Sequence, residues 1–238
     1  MANEQQRSNQ QAVGQQTTLS TPAAGLSAGS AVAAPAPAIG SVQALGPRER
    51  ILEAALQLFV EQGYFNTNVP DISRQSKCSV GSIYHHFLNK EEIASELYRI
   101  GMRKFRDALS DGISDNASLE KTIKTVVTRF LEFSESSYLW SKYLWLARHN
   151  EFLAGELTRP TTVGFDNLGR KLTKAIKAGM RKKEIAALNA EVIWTVIFGL
   201  PLSFIRDWLD GYTSQKPSQI APILAEASWA ALKGIKGN

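Results

Sequence analysis

Residues 48–98 read RERILEAALQLFVEQGYFNTNVPDISRQSKCSVGSIYHHFLNKEEIASELY, and the spacing of apolar and capping residues in this stretch decides the fold. Pro47, just before it, opens a helix at little cost, because the N–H it lacks has no intrahelical acceptor in a first turn. Ile51, Leu52, Ala55, Leu56, Phe59 and Val60 recur at intervals of one and four, which is one apolar face of an α-helix, and Gly63 is placed to end it as a left-handed cap. Asn66, Thr67 and Asn68 are N-cap residue types, with Asp71 three after Asn68 as an approximate capping box and Pro70 tolerated in the first turn. These signals predict a short helix to about residue 75. Ser79 caps another through about Phe87, and Ser76-Lys77-Cys78 is the turn between them. Two short helices across a tight turn make a helix-turn-helix candidate. Asn89 with Glu92 forms a second capping box and opens a long helix through Leu97, Tyr98 and Phe105 to about Ser110.

Downstream the helical periodicity continues over roughly 118–136, 138–149, 162–181, 190–210 and 218–234, with Asn189 and Gly211 bracketing the fourth and Pro201 expected to kink it. No strand alternation is sustained, so the fold class is all-α: a three-helix helix-turn-helix domain followed by a larger helical domain. Upstream, residues 1–46 are Gln, Ala, Ser, Thr, Gly and Pro with two charges, Glu4 and Arg7, and cannot bury enough apolar surface to offset their ordering entropy. They are expected to be a disordered leader. The division expected is therefore 1–46 leader, 47–92 DNA-binding domain and 93–238 effector-binding and dimerisation domain.

Composition removes several classes. The 238 residues are 44% hydrophobic, enough for a real core. Cys78 is the one cysteine, which excludes an internal disulfide, and with three histidines leaves no zinc cluster of the usual spacing. The longest apolar run, Val192 to Ile205, is interrupted, bounded by Glu191 and Arg206, and at 14 residues shorter than the roughly 20 that span a bilayer, so a buried helix is expected. With no secretory signal at Met1–Gln16, the expected location is cytoplasmic. A net charge of +5 permits nucleic acid as a partner, although residues 47–90 hold five basic and four acidic side chains and are barely basic.

The linked set Phe59, Gly63-Tyr64, Thr67, Asp71-Ile72, Ser79, Gly81, Ile83-Tyr84, His86-Phe87 and Lys90 before an acidic first turn resembles the DNA-binding domain of the TetR family of bacterial one-component regulators. The resemblance covers about fifty residues; beyond about residue 100 it is only to the family's plan of helices. It implies double-stranded DNA as partner. Val80, Gly81, Ser82 and His85 would face the groove: Ser82 and His85 as hydrogen-bonding groups, Val80 against a thymine methyl, Gly81 by close approach. Thr67, Asn68, Lys77, Ser79, Tyr84, His86 and Lys90 complete the expected DNA-contacting set, with Lys90 and Tyr84 on phosphate. That face offers no Arg, Asn or Gln for bidentate base reading, so DNA shape, or Arg48 and Arg50, would have to add discrimination. Lys77 replaces the family's turn glycine, so the turn must either tolerate a left-handed lysine or take a different shape. Cys78 stands where the family places a small apolar residue and reads as a buried structural thiol rather than a redox switch.

Aromatic residues concentrate in the second domain, as core or as the lining of an effector pocket. Arg129, Phe133, Trp140, Tyr143, Trp145, Arg148, Thr195 and Phe198 are the candidate effector contacts, for a small apolar or aromatic molecule. Helices 190–210 and 218–234 are apolar over more than one stripe, so Val192, Val196, Leu200, Ile223 and Trp229 are assigned to a homodimer interface, which in turn predicts a palindromic operator. His149 reads as a solvated helix end, and Arg181-Lys182-Lys183 as a basic helix C-terminus favoured by the helix dipole. No phosphate-binding glycine loop, nucleophile elbow or metal-ligand spacing is present, so no enzyme, cofactor, metal or membrane association is expected. The function expected is a ligand-released repressor; the alternative is a helical partner or ligand-binding protein whose helix-turn-helix has lost sequence-specific DNA binding.

Overall fold

The computed structural model describes residues 45–114, 116–147 and 167–236. Among them are nine helices and no strand: α1 (Pro47–Glu61), α2 (Val69–Ser76), α3 (Val80–His86), α4 (Lys90–Ser110), α5 (Leu119–Ser136), α6 (Tyr138–Leu146), α7 (Asn167–Arg181), α8 (Ala190–Leu209) and α9 (Pro217–Gly234). The expected leader, apart from Leu45 and Gly46, and Arg148 and His149 lie outside the described residues.

Boundaries follow from capping chemistry. Asn68, Ser79, Asn89, Ser118 and Asn189 each accept, through a side-chain oxygen, the backbone N–H of the third residue of the helix that follows. The box at Asn68 is reciprocal, with Asn68 N–H donating to Asp71 Oδ2 at 3.1 Å. At Asn89 it is not, because the Glu92 carboxylate reaches one residue further back, to Leu88 N–H at 2.6 Å. Gly63, at φ 86°, and Gly211, at φ 81°, take the left-handed positions beyond α1 and α8.

α1, α2 and α3 form the N-terminal head. Ile51, Ala55 and Phe59 of α1, Ile72 of α2 and Ile83 of α3 are buried with Phe87, which holds two helices too short to persist alone in water. The head packs on α4 and α6. Tyr143 of α6 is 1% exposed, stacks on Phe59 of α1 at 6.3 Å between centroids, and donates its hydroxyl to Ala94 O of α4 at 2.9 Å. Burial raises its pKa well above the ordinary tyrosine range. α5 is the central helix of the second domain and packs along α9, with α4, α6, α7 and α8 around it.

α8 departs from the buried helix expected of it. It is 20 residues long, and by length and composition alone apolar enough to cross a membrane, yet only 28% of its apolar window is buried within the protomer. The buried residues recur every four positions, Ile193, Ile197, Pro201, Ile205 and Leu209, so one face points inward. Pro201 sits on that face, and the helix continues past it to Leu209. Val192 and Leu200 lie on the other face, exposed, as does Ile223 of α9.

Candidate DNA-reading head and effector region

The head is organised around Lys90. Its ammonium donates to Tyr64 O at 2.9 Å and Thr67 O at 2.7 Å and lies 4.1 Å from the centroid of the Tyr64 ring. Removal from water lowers the Lys90 pKa. Tyr64, 7% exposed, donates its hydroxyl to Glu91 at 2.8 Å, and burial together with that carboxylate raises its pKa far above the usual value. Lys90 therefore clasps the segment that enters α2 to the start of α4, with two of its three N–H groups committed inside the protein. Thr67 is likewise internal: it is 1% exposed, donates to Gly63 O at 2.8 Å and accepts from Gln62 Nε2 at 3.2 Å. Both residues, placed in the expected DNA-contacting set, also fix the position of the helix start that Asn68 caps. The sequence misses this because Lys90 and Thr67 stand 23 positions apart.

Arg48 and Arg50 are also engaged. The Arg48 guanidinium pairs with Glu96 at 2.7 Å and lies over the Phe87 ring, which ties α1 to α4. Arg50 donates to Cys78 Sγ at 3.5 Å. Cys78 is 6% exposed, and its burial beneath the turn matches the structural reading of this thiol.

The turn takes the left-handed option. Lys77 has φ 56° and ψ 31° and an exposed side chain, held there because Ser73 Oγ donates to Cys78 O at 2.6 Å and Cys78 N–H donates to Ser76 Oγ at 3.3 Å. This aims α3 outward. With Ile83 and Phe87 buried beneath it, Val80, Gly81, Tyr84 and His85 are exposed, with Ser82 and His86 half-buried at the sides; Tyr84 is 53% exposed. Ser79 Oγ accepts from Ser82 N–H at 3.1 Å, so that oxygen is partly occupied by capping. Phe65 and Leu88 are exposed apolar neighbours on the flanking turns that the sequence reading does not single out.

In the second domain, Phe133, Trp145 and Phe198 come together. Phe105 of α4 meets Phe130, Phe133 and Trp145 at 5.0, 5.4 and 4.9 Å between centroids, Phe130 meets Phe198 at 5.8 Å, and Trp194 stacks on Phe198. Trp145 Nε1 is buried in this cluster with no hydrogen-bond partner among the described residues. The other candidates lie apart. Trp140 packs over Gly101, Tyr143 faces α1 and α4, Thr195 is exposed on α8, and Arg129 is on the outer face of α5, paired with Glu132 at 2.9 Å and Asp111 at 3.7 Å. Arg148 is outside the described residues. Of the dimer set, Val192, Leu200 and Ile223 are exposed and Val196 is half-buried, whereas Trp229 turns into the protomer core at 7% exposure.

A short helix that bares one polar and apolar face, set across a turn on a second helix and anchored to a third, is a helix-turn-helix, and a protein so built on a helical domain is a DNA-binding regulator. Residues 51–97 match the sequence pattern of the bacterial regulatory proteins of the tetR family. The fatty acid metabolism regulator protein of Bacillus subtilis (strain 168) is 24% identical over 162 residues, 67% of this chain and 82% of that protein. The transcriptional repressor KstR2 of Rhodococcus jostii (strain RHA1) is 34% identical over 95 residues, 38% of this chain and 47% of that one. The crystal structure of the transcriptional regulator FadR from Bacillus subtilis in complex with stearoyl-CoA superposes with a TM-score of 0.58 at 20% identity, covering 79% of this chain and 99% of that one. Over residues 51–97 the chain therefore carries the DNA-binding domain of the bacterial regulatory proteins of the tetR family.

Proposed function

We propose that this protein is a homodimeric repressor that binds a palindromic operator through α3 and is released by a small apolar effector held at the aromatic cluster. The observation that carries the DNA reading is the outward face of α3: Val80, Gly81, Tyr84 and His85 are exposed while Ile83 and Phe87 anchor the helix from below. Val80, Gly81, Ser82 and His85 read bases; Asn68, Lys77, Ser79, Tyr84 and His86 contact the backbone around them. Thr67 and Lys90 shape the head, and the remaining N–H of Lys90 is available to a phosphate. The head occupies residues 47–92 and the effector and dimer domain residues 93–238.

Two-fold pairing through α8 and α9 is supported by the apolar stripe Val192, Val196 and Leu200, with Ile223 beside it, which a protomer alone leaves partly in water. Regulatory chemistry without catalysis, in the cytoplasm, fits this reading. The effector reading is supported by the ring cluster, by the Trp145 indole N–H, which has no partner among the described residues and to which a ligand acceptor could bind, and by the stearoyl-CoA held by the Bacillus structure. Tyr143 connects the two regions, since α6 carries it against α1 and α4 while Trp145, two residues on, lines the cluster.

The test is retention of genomic fragments by the full-length protein at moderate salt, followed by sequencing. A recurrent palindrome is expected, with His85→Ala weakening it by about 1–3 kcal/mol at the base it reads and Tyr84→Phe weakening binding by about 0.5–1.5 kcal/mol on every sequence alike. Retention that is blind to sequence, or untouched by both changes, overturns the reading.

A further inference from the structure

The net charge of +5 is concentrated in one place. Residues 167–183, which are α7 and its C-terminal turn, hold seven basic side chains from Arg170 to Lys183 and no acid, leaving the rest of the chain at −2. α7 buries Leu168, Leu172 and Ile176 against the domain, so the cations are displaced to its other faces. Three of them, Lys171, Lys174 and Lys182, line a cleft of about 200 Å³ between α7 and the connection from α4 to α5, with Ser114, Asn116, Thr122 and one carboxylate, Glu184, among the polar groups around it. Two contacts hold the walls. Lys171 Nζ donates to Ile113 O at 2.9 Å, and Gly179 leaves room for Leu119, with which a Cβ would collide. Lys182 meets Glu184 at 3.9 Å; among the described residues neither Lys171 nor Lys174 has a carboxylate at ion-pair distance.

Like charges gathered at one cleft repel, and an anion seated there converts that repulsion into attraction. Operator DNA is not that anion. α4 has 21 residues and so extends about 30 Å; the reading head is at its first residue, Lys90, and the cleft lies beyond its last. The size of the cleft fits a phosphate or diphosphate group rather than a whole ligand, since sites that enclose drug-sized molecules run to roughly 300–1,000 Å³. We propose that this cleft binds a phosphate-bearing small molecule, with the ammonium groups of Lys174 and Lys182 as charged donors, the hydroxyl of Ser114 as a neutral partner, and Lys171 positioning the wall; the Thr122 hydroxyl is already donated to Ser118 O at 3.0 Å. The site is separate from the aromatic cluster and does not depend on the effector reading.

Free phosphate and the phosphate end of a nucleotide share this chemistry, so titration calorimetry of the full-length protein would use inorganic pyrophosphate and adenosine diphosphate in parallel. Saturable binding of one probe per protomer is expected, weakened about tenfold by Lys174→Gln with Lys182→Gln. It should be unchanged by Lys177→Gln with Arg181→Gln, which removes the same charge from α7 outside the cleft. Tighter binding of adenosine diphosphate assigns a nucleotide-bearing ligand, and equal binding assigns free phosphate. Failure of both probes to saturate, or equal loss in both variants, overturns the site; equal loss accompanied by weaker capture of random duplex DNA by both variants than by the wild type would mark a diffuse nucleic-acid surface instead. Unchanged thermal unfolding of both variants shows that the comparison is made between folded proteins.

Discussion

Lys77 occupies a backbone region that costs an L-residue roughly 1–2 kcal/mol, and it is held there by Ser73 and Ser76 rather than by any preference of its own. Lys77→Gly is expected to stabilise the protein by about 1 kcal/mol, seen as a melting temperature higher by about 2–4 °C; a lower melting temperature would show that the lysine side chain contributes more than its backbone costs. Gly101 is the opposite case, a helical glycine required by packing. A Cβ there would lie 2.9 Å from Trp140 Cε3 and 3.1 Å from Leu144 Cδ2, so Gly101→Ala is expected to destabilise by about 1–3 kcal/mol through overpacking between α4 and α6. The measurement is denaturant unfolding, and an unchanged midpoint would mean that α6 shifts freely. The turn lysine was visible as a departure in the sequence, but its conformation was not, because either a strained or an altered turn satisfied the same three residues.

Helices were legible where local chemistry sets their ends. The reciprocal bonds between Asn68 and Asp71 are spacing made visible, and Asn68→Ala is expected to cost about 1 kcal/mol and to weaken operator binding along with it, because α2 supports the turn that aims α3. Unaltered operator affinity at lowered stability would show that α2 places α3 by packing alone and would remove Asn68 from the backbone contacts. Less legible was which side of an apolar helix faces inward. α8 presents isoleucines at 193, 197 and 205 to the core and Val192 and Leu200 to solvent, a division that a uniformly apolar string hides. The same ambiguity put Trp229 in the proposed interface, although α9 turns it into the protomer. Leu200→Glu is expected to convert a dimer to monomers in sedimentation analysis, since it sets a charge on the exposed stripe; a dimer that persists would place the interface elsewhere.

Across the whole molecule, Tyr143 is the contact that spans head and domain. Its hydroxyl serves Ala94 O within α4 and its ring lies on Phe59 of α1, so displacement of α6 has a direct route to the head. Tyr143→Phe is expected to cost about 1 kcal/mol of stability and to reduce the effect of an effector on operator affinity more than it changes operator affinity itself. Anisotropy titrations with and without the effector found for the wild type would check this, and an unchanged ratio would remove Tyr143 from the coupling.

The all-α class and the helix-turn-helix were determined by the sequence alone, because they depend on capping pairs, apolar spacing and a turn, all interactions between residues a few positions apart; the groove-facing residues of α3 came from the resemblance to the TetR family. Tertiary structure decided the roles that depend on distant partners. Lys90 and Thr67 are drawn inward by carbonyls and side chains that only folding brings near, Arg48 and Arg50 are committed to Glu96 and Cys78, and the seven proposed effector contacts among the described residues separate into an aromatic cluster and residues facing other surfaces. A polar side chain in a sequence is a donor without an address; which acceptor it meets, water, DNA or its own backbone, is settled only when the helices pack and one of these is already within reach.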